Sequence, residues 1–164
     1  MKYLLLIRHA KSSWDDPSIK DFDRPLNKRG LKEAPEMAER LLDKKIKIDA
    51  FLTSPAKRAL TTCKFFIKAY DKKEKNIIEV GELYEAGPEN FLNVILGVDN
   101  DVDTIAIFSH NPGVTAFANE LTNVHVDDMP TCSIFAINAD IKKWKDFEDS
   151  EKQFWFFDYP KLKE

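Results

Sequence analysis

Apolar positions along the chain fall into two rhythms. Leu4-Leu5-Leu6-Ile7 is an unbroken apolar run, Thr104-Ile105-Ala106-Ile107-Phe108 repeats its form, and residues 49–53 and 76–80 are weaker versions. Continuous runs of this kind suit strands covered on both faces, as in a parallel sheet. Between them the spacing becomes helical. Leu31, Ala34, Ala38, Leu41 and Leu42 form a stripe behind Asn27, a good helix cap, with a kink expected at Pro35. Ala59, Cys63, Phe66, Ile67 and Tyr70 form a second stripe, for which Ser54-Pro55 predicts an N-cap hydroxyl and a proline at the first helical position. Short helices are expected after Pro88 and after Pro112.

Strand alternating with helix implies right-handed βαβ units, hence an α/β fold: a three-layer α/β/α sandwich around a mainly parallel central sheet. Residues 133–138 and 154–158 read as strands with no long helix between them, which predicts an antiparallel edge strand. The apolar segment Phe154-Trp155-Phe156-Phe157 is expected to be buried within the domain, with a dimer contact as the other reading. A length of 164 residues suits a single domain over residues 1–164, present as a monomer or weak dimer.

Charge and composition narrow the function. A net charge of −3 gives no basic surface for nucleic acid or an anionic membrane, so any anion site must be built locally. The N-terminal apolar run ends at Arg8, too short for a signal segment or a membrane span, and a cytoplasmic location is expected. Cys63 and Cys132 lack metal-ligand or C-x-x-C spacing and are expected to be reduced and buried. A cysteine-nucleophile phosphatase loop would need arginine six positions after Cys63, where Ala69 stands.

Candidate chemistry collects where the strands should end, which is where open α/β sheets bind ligands. The first run ends in Arg8-His9, the second in Ser54-Pro55-Ala56-Lys57-Arg58, and the later central run in Ser109-His110-Asn111-Pro112-Gly113. If these strands are parallel, two histidines and two arginines converge, with no obvious compensating carboxylate. Such a site suits a compact multivalent anion, and phosphate matches the planar donor fork of arginine. Helix N-termini following Ser54 and Asn111 would add backbone N–H groups. The third histidine, His125, lies in a polar stretch and is assigned no role.

These residues resemble the histidine phosphatase superfamily, with its phosphoglycerate-mutase-like fold, and within it the compact SixA-type branch of phosphohistidine phosphatases. The likeness rests on Leu6 to Ser12, Asp23-Arg24-Pro25-Leu26-Asn27, Ser54 to Ala59 and Ser109 to Gly113, in order from residue 3 to about residue 138. Ala10 departs from the glycine common in the wider superfamily. The resemblance implies that His9 is the phosphoryl acceptor, that Arg8 and Arg58 with His110 hold the phosphoryl oxygens, and that no metal or other cofactor is needed. A nucleophilic imidazole must be neutral, with its second nitrogen held by an acceptor such as a backbone carbonyl, and the nearby arginines are expected to disfavour imidazolium.

The resemblance also leads to a carboxylate near the pocket, for which Glu82 is the candidate general acid; an ordinary solvated glutamate is its other reading. Arg24 either lines the pocket or bridges to Asp21 or Asp23, and Lys11 reads as a solvated rim charge. Residues 81–103 must supply the helix after Pro88 and leave no room for a large lid. An open site admits a small phosphoester and a phosphorylated protein alike; taken with the branch resemblance it makes protein phosphohistidine the first choice, the other readings being a mutase reaction or a phosphate-binding adaptor without catalysis. A mutase must shield its intermediate from water, and an adaptor has no special use for His9 beside the arginines.

Overall fold

A computed structural model describes residues 1–162 of the protein. Six strands form one sheet: β1 (Lys2–Arg8), β2 (Ala50–Thr53), β3 (Ile77–Glu79), β4 (Thr104–Ser109), β5 (Ile134–Ala139) and β6 (Lys152–Asp158), in the order β3-β2-β4-β1-β5-β6. The first four strands are mutually parallel, as the apolar runs predict. β5 is antiparallel to both β1 and β6, so the strand that runs against the rest lies one place in from the edge. Four helices cover the sheet: α1 (Lys28–Asp43), α2 (Lys57–Ala69), α3 (Pro88–Leu96) and α4 (Gly113–Leu121). The three-layer α/β/α arrangement read from the sequence is the one observed.

Alternation along each central strand divides the interior. Leu5 and Ile7 of β1 join Ala106 and Phe108 of β4 beneath α1 and α2, packing with Met37, Leu41, Cys63 and Phe66. Leu4 and Leu6 point the other way, with Ile105 and Ile107, to Phe91 of α3 and Phe117 of α4. That two-sided burial is why the runs carry no polar positions.

Two local readings need correction. Asn27 caps α1, its side chain accepting from the Gly30 amide at 2.9 Å, but Leu31 stands 49% exposed. The buried face turns instead through Gly30, Ala34, Met37, Ala38 and Leu41. The second helix starts at Lys57 with Ala56 at its N-cap and no capping side chain, so Ser54-Pro55 lies outside it.

The C-terminal strand also differs from expectation. Phe154 and Trp155 are 37% and 38% exposed, because β6 pairs along one side only and a register shift opposite Ala136 and Ile137 adds a residue there. Phe156 and Phe157 are half-buried, one against each cluster. Among the described residues, no helix is long and apolar enough to cross a membrane.

Candidate active site

Register places the two histidines side by side. Arg8 pairs with Ser109 across β1 and β4, and the ladder runs one step further, with the His9 amide donating to the Ser109 carbonyl at 3.1 Å. His9 and His110 therefore leave neighbouring strands at the same level, one strand spacing apart. Their ring centroids are 5.1 Å apart. On the other flank the Ser54 amide donates to Phe108 O at 3.0 Å, which brings the segment leading to Arg58 to the same edge.

These ends floor a cleft of about 610 Å³ whose lining includes Arg8, His9, Arg58 and His110. His9 is 6% exposed, and its Nδ1 lies 2.7 Å from the Ala10 carbonyl oxygen. A carbonyl can only accept, so Nδ1 carries the proton and Nε2 keeps its lone pair. Burial is the main force holding His9 well below its ordinary pKa, the carbonyl contact opposes it, and His110, Arg58 and Arg8 add to the depression. The arginines act as the sequence suggested, but desolvation comes first. The local backbone is braced by Thr62, whose Oγ1 accepts from the Ala10 amide at 3.0 Å and donates to the Arg58 carbonyl at 2.8 Å.

His110 is buried for the same reason and falls to about 4, by desolvation first and the Arg58 charge second. Its Nε2 is hydrogen-bonded to Ser54 Oγ at 2.8 Å, and that hydroxyl oxygen accepts from the Ala56 amide at 3.2 Å. The hydroxyl expected to cap a helix thus supports a cleft histidine. Arg8 Nη1 donates to the Met129 carbonyl at 2.7 Å. Arg8 Nε, Arg58 Nε and His110 Nδ1 are buried and have no protein partner among the described residues.

The expectation of a site without a carboxylate fails at Asp21. Its Oδ2 accepts from Arg58 Nη2 at 3.0 Å and from the Tyr84 hydroxyl at 2.7 Å, while Oδ1 accepts from Arg24 at 3.1 and 3.2 Å. Burial pushes the Asp21 carboxyl up, but the hydrogen bonds from Tyr84, Arg58 and Arg24 and the Arg58 charge outweigh it and bring it down to about 2. Both readings of Arg24 hold, since it lines the cleft and bridges to Asp21. Sequence spacing could not reveal Asp21, because it sits in a short 3-10 turn (Asp21–Asp23) brought to α2 by the chain's path.

Glu82 is placed elsewhere. Its carboxylate accepts from Asn90 at 3.1 Å and Asn93 at 3.3 Å on α3, and it does not line the cleft. The 3-10 turn Gly81–Leu83 directs it outward, whereas Glu85, two residues past the turn with φ of 55°, lies on the cleft wall beside Tyr84. Lys11 is on the lining, and His125 is exposed with Asp127 3.1 Å away.

Two glycines let α1 and α4 close on the loops that carry the site. A Cβ at Gly113 would stand 1.9 Å from the Ala86 carbonyl oxygen, and one at Gly30 would stand 2.2 Å from that of Lys11. The Ser109 hydroxyl, donating to Leu83 O at 2.7 Å, ties the Tyr84 loop to β4. Among the described residues, no cluster of three or more His, Cys, Asp or Glu side chains could hold a metal ion. Both thiols are buried, which pushes their pKa values up and keeps them protonated.

Comparison with known proteins agrees with this geometry. An uncharacterised chloroplastic protein of Arabidopsis thaliana is 30% identical over 87% of this chain and 69% of its own length. A Mycobacterium leprae protein is 28% identical over 94% of this chain and its whole length. The structure assigned as phosphohistidine phosphatase SixA from Agrobacterium tumefaciens superposes with a TM-score of 0.81 at 25% identity, covering 97% of this chain and 98% of that one. A protein histidine phosphatase SixA complexed with tungstate shares the fold, with a TM-score of 0.81 at 23% identity over 96% and 97% of the two chains. Residues 4–91, from β1 into α3, match the family model of the histidine phosphatase superfamily (branch 1), and with the His9 and His110 strand ends in place the chain belongs to that superfamily as a phosphatase.

Proposed function

We propose that this phosphatase works through a phosphoenzyme on His9 and that its substrate is protein phosphohistidine. One observation carries the reading: a neutral, buried imidazole with a bare Nε2 stands at the strand ends beside Arg8, Arg58 and His110. The Nε2 lone pair attacks phosphorus, the bond from phosphorus to the substrate nitrogen breaks, and that nitrogen takes up a proton as it leaves. Water then attacks the phosphorus, the P–Nε2 bond breaks, and inorganic phosphate departs. Arg8, Arg58 and His110 hold the non-bridging oxygens, where fixed cations and donors stabilise the transferring group without reorganising. All three side chains line the cleft that the transferring group would enter.

A carboxylate helps the leaving atom only if it reaches the cleft; Asp21 and Glu85 both line it, and with Asp21 engaged by Arg58, Tyr84 and Arg24 the role falls to Glu85 in the stead of Glu82. A phosphoramidate nitrogen needs less of this help than an alkoxide. The short connection between β3 and β4 supports a protein substrate, because α3 buries Phe91 and Ile95 against the sheet rather than arching over the cleft. The Agrobacterium structure assigned as a phosphohistidine phosphatase and the tungstate complex described as a protein histidine phosphatase support that choice.

The decisive experiment is rapid quench with a phosphohistidine protein labelled at phosphorus. An acid-labile, base-stable adduct is expected on the wild type and none on His9→Ala, whose turnover should fall by roughly 10⁴-fold or more, as when other covalent nucleophiles are removed. Wild-type turnover in His9→Ala, or an acid-stable adduct, would sink the proposal.

A further inference from the structure

Among the described residues Trp14 is the most exposed large hydrophobic side chain, at 71%, and it lines the catalytic cleft. A lone exposed indole is ordinary on a protein surface, but this one borders the catalytic cleft and is held in place. Its position is not loose. The Arg24 guanidinium lies 3.6 Å from the ring centroid, and Arg24 is itself 7% exposed and pinned by Ser12 Oγ at 2.7 Å, Ser13 O at 3.2 Å and the Asp21 carboxylate. A fixed cation therefore braces one face of the indole. At 71% exposure the rest of the indole is left to solvent, where it borders both the catalytic cleft and a neighbouring hollow beside Asn27.

Tyr84 adds a second aromatic ring to the lining of the cleft. Tyr84, fixed by its hydroxyl on Asp21, stands edge-on to His110 at 5.6 Å and 79° and to the exposed Phe22 at 5.2 Å and 88°. Below this rim lies a floor of arginines and histidines suited to a phosphoryl group. The cleft thus has a charged end for the phosphoryl oxygens and a ring-shaped apolar end for whatever carries them.

We propose that Trp14, braced on Arg24, is a stacking platform that selects substrates whose phosphoryl group is borne by a flat unsaturated ring, an imidazole nitrogen or an aryl oxygen, over those bearing it on an aliphatic chain. The inference rests on the phosphatase reading above and deepens it. Ring stacking against the indole is favourable, whereas the aliphatic chain of a phosphorylated lysine offers no ring to stack. Phosphohistidine is accordingly preferred over phospholysine, although both are phosphoramidates. Trp14 is a specificity residue and takes no part in the bond changes.

The test compares wild type, Trp14→Ala and Trp14→Phe on four substrates: peptides of one sequence carrying phosphohistidine, phospholysine or phosphoserine, and an aryl phosphate. Trp14→Ala is expected to lower kcat/KM about three- to tenfold on the two ring substrates, mainly through KM, with less than about a twofold change on the aliphatic pair. Trp14→Phe should restore most of the loss. An equal loss on all four substrates means that Trp14 acts only through the Arg24 loop and overturns the platform, as does an unchanged rate on the ring substrates. A wild type that leaves all four intact overturns the phosphatase reading instead. As a second measure, phenylphosphonate should bind wild type more tightly than methylphosphonate, and this preference should vanish in Trp14→Ala; equal binding to wild type counts against the platform.

Discussion

The floor and the rim of the cleft are built on different terms. His9, Arg58 and His110 are each less than 10% exposed; the histidines directly follow paired strands β1 and β4, and Arg58 lies in the first turn of α2 just beyond β2. Trp14 and Phe22, 71% and 39% exposed, stand on the loop between β1 and α1, where local side-chain contacts do the holding. Groups that must meet a phosphorus atom are set by the sheet, and groups that choose what carries it are set by loops, which tolerate change. Asp21 joins the two, since its carboxylate holds Arg58 on the floor and Arg24 beneath the rim.

Breaking the floor should cost most. Arg58→Ala removes a fixed cation and leaves Asp21 with Arg24 as its remaining buried partner; kcat/KM is expected to fall roughly 10²- to 10³-fold on every substrate, ring or aliphatic. A selective loss would move Arg58 to the rim. The floor should also show itself in acid. Burial holds His110 at about 4 against an ordinary 6.5, so it adds no pH dependence above 6.5. As pH drops from 6.5 towards 4 the unfolded chain takes up the proton first, and stability falls by on the order of 3 kcal/mol from this group. Denaturant titrations at pH 7, 5.5 and 4.5 should show a shallower fall in His110→Gln, with the remaining slope owed partly to His9, which shifts the same way. Asp21 behaves oppositely: its depressed value supports stability above 3.8 that is lost only as pH falls towards 2.

Smaller effects test the wall between the two regions. Glu85→Gln is expected to slow ester turnover about 10²-fold, at the low end for a general acid, and to affect phosphohistidine less. Glu82→Gln, altered at a carboxylate that faces α3, should stay within about twofold of wild type. A reversed ranking in steady-state assays would return the role to Glu82. Gly113→Ala forces a Cβ against the Ala86 carbonyl and should cost about 1–3 kcal/mol in thermal or denaturant unfolding, with a displaced Tyr84 loop. Near-normal stability would show that this approach is softer than its geometry implies.

Much of this molecule was legible in one dimension. Leu4 to Ile7 and Thr104 to Phe108 declare strands buried on both faces, and strands of that kind separated by helical stripes leave little choice but a parallel sheet with helices on both sides. Arg8-His9, Arg58 and Ser109-His110 are readable because a strand end has a known place in such a sheet. Ser54 misled because a Ser-Pro pair is a good helix start locally, while His110 on another strand claimed the hydroxyl. Leu31 misled because spacing alone does not show which side of a stripe the sheet will cover.

What only the tertiary structure decided is what loops carry. Glu82 and Glu85 are three residues apart, and a single 3-10 turn sends one to α3 and the other to the cleft. Asp21 and Trp14 gain their places through Arg58 and Arg24, partners that no periodicity encodes. Periodic burial is a property of neighbouring residues and survives in the sequence. A contact between loops depends on where the whole chain has gone, and its physical cause, a charge meeting a charge or a ring meeting a guanidinium, exists only once the sheet has brought the loops together.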